Sequence, residues 1–280
     1  MTTFAETLDD FRDAIDGPAD DVPLARAALL IARAENPTVD IDAYEQRLDD
    51  LSTALRERLS TKTDPTTRGS AAANFLFREL GFAGNETEYD DPRNLLFDEV
   101  LERRTGVPVT LAILYVEVCQ RAGLAASAVG LPGHVVTRND ELDDDPRYID
   151  VFNGGQALSA EDCERLVQET YGRQVKFGDY FLTSITPRQV LQRLLHNLKA
   201  RALQSADDER AGRAMDLLLA MCPWDLDEVR DRGMLHERLG DYPAALADLE
   251  QYVRFRASAR DIRTITDAVE SLRRHISTER

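Results

Sequence analysis

The sequence predicts an α+β fold in which a buried helix packs against an antiparallel sheet, with a helical region before this core and helical hairpins after it. Three observations carry that reading. From Val109 to Cys119 only Thr110 and Glu117 interrupt an apolar run that is too long for a strand and is closed by Gly123, as a buried helix would be. Short β-type runs follow at Ser127 to Leu131, His134 to Arg138 and Arg147 to Val151, separated by Pro132-Gly133 and by the acidic stretch Asn139 to Asp145. Beyond Pro187 a 34-residue register appears, in which Ala211, Met215, Leu218 and Pro223 recur as Ala245, Leu249, Tyr252 and Ala257. The 280 residues therefore divide into a helical region over 1–90, a core over 91–186 and a second helical region over 187–280.

In the first region Leu24 to Ala34 reads as a helix closed by Asn36-Pro37. Ile41, Tyr44, Leu48, Leu51, Leu55 and Leu59 then recur at spacings of three and four, giving one apolar stripe. Thr61 to Gly69, with Asp64-Pro65, reads as a polar break, after which Ala71 to Leu80 resumes a helix ended by Gly81. Asp91-Pro92 marks a helix start, and Asn94 in its first turn is expected to serve local capping. In the core, Asn153-Gly154-Gly155 reads as a turn and Ser159, with Asp162 three residues on, caps a helix to Glu169 in which Cys163 packs.

In the third region the second repeat, Arg232 to Arg254, is well formed, with Gly233 at its small-residue position and Leu239-Gly240-Asp241-Tyr242 between its helices. The first copy lacks its small residues. Two copies are fewer than the roughly three an independent solenoid needs, so the hairpins are expected to pack on the core. They would either present a concave face to a peptide or partner helix or act as a buttress. Pro223-Trp224 is expected to staple the junction between copies.

A net charge of −17 and a pI near 4.7 oppose electrostatic binding of nucleic acid or anionic membrane. Arg103-Arg104 reads as a solvated or ion-paired helix end. The opening residues lack a signal-peptide pattern and no stretch reaches ~18 apolar residues, so the expectation is a soluble, cytoplasmic protein. Three widely spaced cysteines, Cys119, Cys163 and Cys222, fit reduced and mostly buried thiols, and neither a structural metal nor a cofactor is expected. Three lysines stand against thirty-one arginines, which points to a GC-rich genome; the acidity fits either salt adaptation or simple solubility.

The chemistry gathers at the start of the buried helix. Papain-type enzymes place a cysteine there, where unpaired backbone N–H groups and the helix dipole stabilise a thiolate and a developing oxyanion. A histidine on one strand takes the proton and a carboxylate on the next orients it. His134 and Asp150 are sixteen residues apart, which lets two neighbouring antiparallel strands bring them onto one face. At the helix start, however, stand Pro108 and Thr110. Cys119 lies nine residues past Thr110, roughly 13 Å along the helix, too far to meet His134 there. Thr110 is then either a nucleophile, with His134 as base and Asp150 as orienter, or a helix-start residue chosen for its short hydroxyl. His196, His236 and His275 lie on predicted helices without a second ligand at metal spacing.

The segments Phe75-Leu76-Phe77-Arg78-Glu79-Leu80-Gly81-Phe82-Ala83-Gly84-Asn85, Asp91-Pro92-Arg93-Asn94, and Val100-Leu101-Glu102-Arg103-Arg104-Thr105-Gly106-Val107-Pro108 occur in fixed order. They are followed by Gly130-Leu131-Pro132-Gly133-His134 and Ile149-Asp150-Val151-Phe152-Asn153-Gly154-Gly155. Through these motifs the chain resembles the bacterial SirB-type family, a transglutaminase-like core followed by tetratricopeptide-like helices. The resemblance implies a papain-like, transglutaminase-type fold with Pro108 at the position of the catalytic cysteine, a position that in this family is generally not cysteine. His134 and Asp150 match the histidine and aspartate positions, and Thr110 stands where relatives often show serine. The expected function is a non-catalytic module that binds or regulates a protein or peptide partner. The alternative is a hydrolase or acyltransferase that uses the Thr110 hydroxyl with the His134-Asp150 pair. The sequence leaves the oligomeric state open.

Overall fold

Reciprocal caps and apolar stripes account for the N-terminal helices of the computed structural model, which describes residues 2–60, 65–139 and 147–278. Helix α1 (Phe4–Ile15) starts on a capping box between Thr3 and Glu6. Helix α2 (Leu24–Glu35) is buried along most of its surface, whereas α3 (Ile41–Leu59) buries one stripe, Ile41, Leu48, Ser52, Leu55 and Leu59, as its spacing predicts. Of the expected polar break, 61–64 lie outside the described residues, and α4 (Pro65–Ala73) already begins at Pro65. Gly69 is therefore inside a helix, where its bare Cα serves close packing: a Cβ there would lie 1.9 Å from the Asn139 side-chain nitrogen.

The chain then widens into a π-type turn over Asn74–Glu79, closed by the Leu80 N–H on the Phe75 carbonyl at 3.0 Å, which buries Phe75, Leu76 and Phe77 in succession. Strand β1 (Ala83–Gly84) pairs in parallel with β2 (Thr105–Gly106), a contact too short to have a sequence pattern. Between them Asp91 caps a 3₁₀ turn, Pro92–Leu95, before α5 (Phe97–Arg103).

Helix α6 (Pro108–Arg121) is the predicted buried helix, with Gly123 in a left-handed conformation just past its end. Its one acidic side chain, Glu117, accepts the Ala25 N–H at the start of α2 at 2.9 Å and Arg121 Nε at 3.1 Å, so the charge is paired rather than stranded. Beside α6 lies a five-stranded antiparallel sheet: β3 (Ala126–Leu131), β4 (His134–Asn139), β5 (Tyr148–Asp150), β6 (Gln156–Leu158) and β7 (Ser184–Ile185). The order is β6-β5-β4-β3-β7. The first three strands match the predicted runs; β6 and β7 span three and two residues and carry no alternation to read. Of the acidic connection, 140–145 lie outside the described residues. Helix α7 (Ala160–Tyr171), capped by Ser159 and Asp162 as expected, sets Cys163 and Val167 against Val129, Leu131, Val136 and Tyr148.

Two units divide within α8 (Pro187–Gln204), one covering Met1–Leu194 and the other Leu195–Arg280. The second continues with α9 (Asp208–Met221), α10 (Leu226–Leu239), α11 (Tyr242–Phe255) and α12 (Ile262–Thr278). Asp207, Asp225 and Asp241 cap α9, α10 and α11 in the same way, which is the repeat expressed as turn chemistry. Of the 34-residue register, Ala211, Met215 and Leu218 with Ala245, Leu249 and Tyr252 are buried, whereas the pair Pro223 and Ala257, in the turns that follow, is exposed. A Cβ on Gly233 would lie 2.8 Å from Leu249, so the small residue is what lets α10 and α11 approach.

Trp224 corrects the expected staple. The turn after α9, closed by the Asp225 N–H on the Cys222 carbonyl at 3.0 Å, turns the indole outward and leaves Trp224 73% exposed. Among the described residues no helix is long and apolar enough to cross a membrane.

Candidate functional site

The hairpin between β3 and β4 sets the first half of the site. Leu131 and His134 are register partners, so Pro132-Gly133 forms the two-residue loop and Gly133 takes a φ of +70° that favours glycine. In the β4–β5 pair Thr137 faces Ile149 and Arg138 faces Tyr148. Continuing that register puts Asp150 opposite Val136, on the face that also carries His134 two residues away. The diagonal is closed by a hydrogen bond between His134 Nε2 and Asp150 Oδ1 at 3.0 Å. The structure thus brings these two sequence-predicted residues together.

Asp150 is buried and heavily held. Its Oδ1 also accepts the Phe152 and Asn153 backbone N–H groups at 3.1 and 3.2 Å, and Oδ2 accepts the Asn153 side-chain amide at 2.7 Å. Burial pushes the carboxyl up, but the hydrogen bond and charge of His134 and the Asn153 amides outweigh it and hold the group below the ordinary carboxylate range. The turn that supplies those amides depends on glycine. Gly155 has a φ of +73° and its missing Cβ would lie 2.5 Å from the Phe77 ring.

His134 is fixed from three sides. Asp150 holds Nε2, the Phe152 ring meets the imidazole edge-on at 6.3 Å, and Arg193 Nη2 grips the backbone carbonyls of His134 and Leu131 at 2.8 and 2.7 Å. Burial lowers the Arg193 pKa, and the exposed phenols Tyr89 and Tyr171 stand near enough to act on it electrostatically. The thiol within electrostatic reach of Asp150 is Cys163, pushed up to about 12 by burial and then by the Asp150 charge. It stays a protonated packing residue, as the sequence implies.

At the helix start Pro108 occupies the first turn of α6, where its missing N–H costs no hydrogen bond. Thr110 is fully buried. Its hydroxyl accepts the Val107 N–H at 3.1 Å and lies 2.9 Å from the Asn94 carbonyl and 3.1 Å from the Val107 carbonyl, to one of which its proton goes. His134 is not among these partners. Gly106 makes room for the arrangement, since a Cβ there would lie 2.7 Å from the Thr110 oxygen. The Phe152 ring packs on Gly84, the strand partner of Gly106, as well as on His134.

Asn94 does not cap its own turn. Its amide donates to the Glu88 carbonyl at 2.7 Å and accepts from Asn85 Nδ2 at 3.1 Å, tying down the loop that leads to Asp91. Sequence reasoning missed this role, along with those of Phe152, Asn153 and Arg193. For Asn153 a signal existed, an Asx residue three positions after Asp150 and just before Gly154-Gly155. Arg193 lies 59 residues from His134 and has no local signal. His196 and His275 are exposed and His236 is half-buried. Among the described residues no three His, Cys, Asp or Glu side chains gather as a metal would require.

Residues 42–196 match the model of the transglutaminase-like superfamily, and residues 198–270 match that of the tetratricopeptide repeat. The chain is 33% identical over 244 residues to a UPF0162 protein of Xylella fastidiosa, covering 86% of each chain. It is 25% identical to Protein SirB1 of Salmonella typhimurium, covering 86% of this chain and 90% of that one. It is also 30% identical to the human (Homo sapiens) F-box only protein 21, over 60% of this chain and 27% of that longer protein.

Proposed function

Because the chain belongs to the transglutaminase-like superfamily and starts its core helix with Pro108, the residue that the family resemblance sets at the position of the catalytic cysteine, we propose that it is a non-catalytic, cytoplasmic module that binds or regulates a protein or peptide partner. The observation that carries the reading is the state of Thr110. The only hydroxyl in that turn is buried and committed to the Val107 N–H and the Asn94 or Val107 carbonyl, so no proton of it is offered to His134. A nucleophile needs a base within hydrogen-bond reach.

The His134-Asp150 pair on this reading is a stitch between strands, and the tetratricopeptide-like unit is the part that meets the partner. Such repeats present side chains on stacked helices, and Trp224 and Phe255 stand exposed there. The experiment is a paired one. Wild type and His134→Ala are expected to give equal, background-level turnover of activated esters and of amine transfer to a glutamine donor. Wild-type turnover that disappears in the variant would overturn the non-catalytic reading and favour the threonine hydrolase or acyltransferase, for which the oriented imidazole is the supporting observation. For the binding half, a partner recovered with the wild-type chain is expected to be lost on Trp224→Ala with Phe255→Ala; undiminished recovery would remove the helical unit from the proposal.

Thr110→Val keeps the shape of the side chain and deletes its oxygen. It is expected to lower stability by about 1–3 kcal/mol, because the buried Val107 N–H loses its acceptor, with Thr110→Ser restoring most of the loss. An unchanged urea midpoint in Thr110→Val would show that the hydroxyl is not held by the helix start.

A further inference from the structure

Around the Pro132-Gly133 loop one side chain keeps donors that the fold does not use. Arg193 holds the loop through Nη2 alone, which donates to the carbonyls of Leu131 at 2.7 Å and His134 at 2.8 Å. Its Nε and Nη1 have no hydrogen-bond partner among the described residues. Neither is closed off in the manner of Arg33 Nε or Arg103 Nη1, which are buried without a partner, so both keep accessible surface. Nη1 lies beside the hairpin, 3.5 Å from where a Cβ on Gly130 would stand.

Arg193 also differs in how its charge is met. Arg33, Arg47, Arg103, Arg121, Arg230 and Arg232 are half-buried like it, and each meets a carboxylate, of Asp10, Glu102, Asp91, Asp49, Asp261 and Asp248 in turn. Arg193 meets two neutral carbonyls, in a chain whose net charge is −17. A guanidinium stays protonated in proteins, so burial that lowers its pKa leaves a destabilised cation and not a neutral group. A ligand that brings the missing negative charge relieves that cost.

Tyr171 is exposed beside it, with its ring against Gly133 and a hydroxyl that makes no hydrogen bond among the described residues. Tyr89 is exposed as well, and its ring meets Phe152 edge-on at 5.8 Å. Both phenols lie within electrostatic reach of Arg193.

We propose that the Arg193 guanidinium and the Tyr171 hydroxyl bind a carboxylate, with Tyr89 and Phe152 flanking its apolar stem. Nη2 belongs to both paired edges of the guanidinium, and its two hydrogens are already committed to carbonyls. The ligand therefore takes single hydrogens from Nη1 and the phenol, which suits the two oxygens of one carboxylate. The acidic field of the whole chain repels a doubly charged phosphate more strongly than a monoanion. The acid is either a free small molecule or the C-terminus of a peptide. The proposal concerns the core alone and holds whether or not the helical unit meets a partner.

The test is a titration of the full-length protein, followed by amide chemical shifts, with 3-phenylpropionate, N-acetyl-phenylalanine, the neutral N-acetyl-phenylalaninamide and inorganic phosphate. Saturable shifts centred on 130–134, 171 and 193 are expected with both carboxylates, with weaker binding of phosphate and none of the amide. Arg193→Gln, which keeps a donor for the hairpin carbonyls and removes the charge, is expected to weaken binding by about tenfold or more. Tyr171→Phe, at an exposed position, is expected to weaken it by roughly threefold and serves if the Arg193 variant does not fold. Equal or tighter binding of 3-phenylpropionate assigns a free acid, and clearly tighter binding of N-acetyl-phenylalanine assigns a peptide C-terminus. The amide binding as well as the acid, phosphate binding more tightly than either carboxylate, no saturation at millimolar probe, shifts centred elsewhere, or affinity indifferent to both substitutions would each overturn the proposal.

Discussion

Asp150→Ala is expected to lower the unfolding free energy of the core by about 3–5 kcal/mol, read as a fall in the urea midpoint. The carboxylate collects His134, two backbone N–H groups and the Asn153 amide in one buried place, and alanine strands all four at once. Asp150→Asn keeps one acceptor oxygen and is expected to cost less. Acid separates the two forms. The native carboxyl lies below its ordinary value, so between the two values the unfolded chain binds more protons than the folded one and stability rises with pH. The contribution is complete above the unfolded carboxyl value of about 4 and is lost as the pH falls through the lower native value. Wild type is therefore expected to lose more stability than Asp150→Asn on going from pH ~5 to pH ~3. Parallel acid curves would mean that Asp150 is not held ionised by its neighbours.

Arg232→Ala is the corresponding expectation for the helical unit, with a loss of about 3 kcal/mol or more. Arg232 on α10 donates to Asp216 on α9 at 2.7 Å and through two nitrogens to Asp248 on α11 at 2.8 Å each, so one guanidinium ties three helices. Removing it leaves Asp248, a buried carboxylate, without its forked partner. Arg232→Lys restores the charge but cannot engage both carboxylates with a planar fork, and only a partial rescue is expected. Amide hydrogen exchange is the measurement, because it reads local opening helix by helix. Faster exchange confined to α9, α10 and α11 is expected; protection unchanged in all three would show that apolar contacts alone hold the repeat.

These two side chains mark how far the sequence could be read. The spacing of His134 and Asp150 and the Pro132-Gly133 loop announced a shared face, and the register of β4 with β5 agrees with that spacing. Arg232 gave no such signal, since its partners lie sixteen residues away in both directions and belong to the repeat's spatial stacking. The strands missed, β6 and β7, are too short for alternation to accumulate, and of the expected break 65–69 proved to be helix, with Asn139 packed on the bare Cα of Gly69. Trp224 was misplaced for a related reason: aromatic residues favour burial on average, while the turn that aims this one outward is set by local backbone bonds.

By itself the sequence determined the helices and their caps, the three main strands and the 34-residue register, because each is written in residues close together along the chain. Only the tertiary structure decided that the Thr110 hydroxyl belongs to Val107 and Asn94 and that Arg193 clamps the His134 hairpin. Those are questions of which distant donor meets which acceptor, and packing answers them only after the local elements have been brought together.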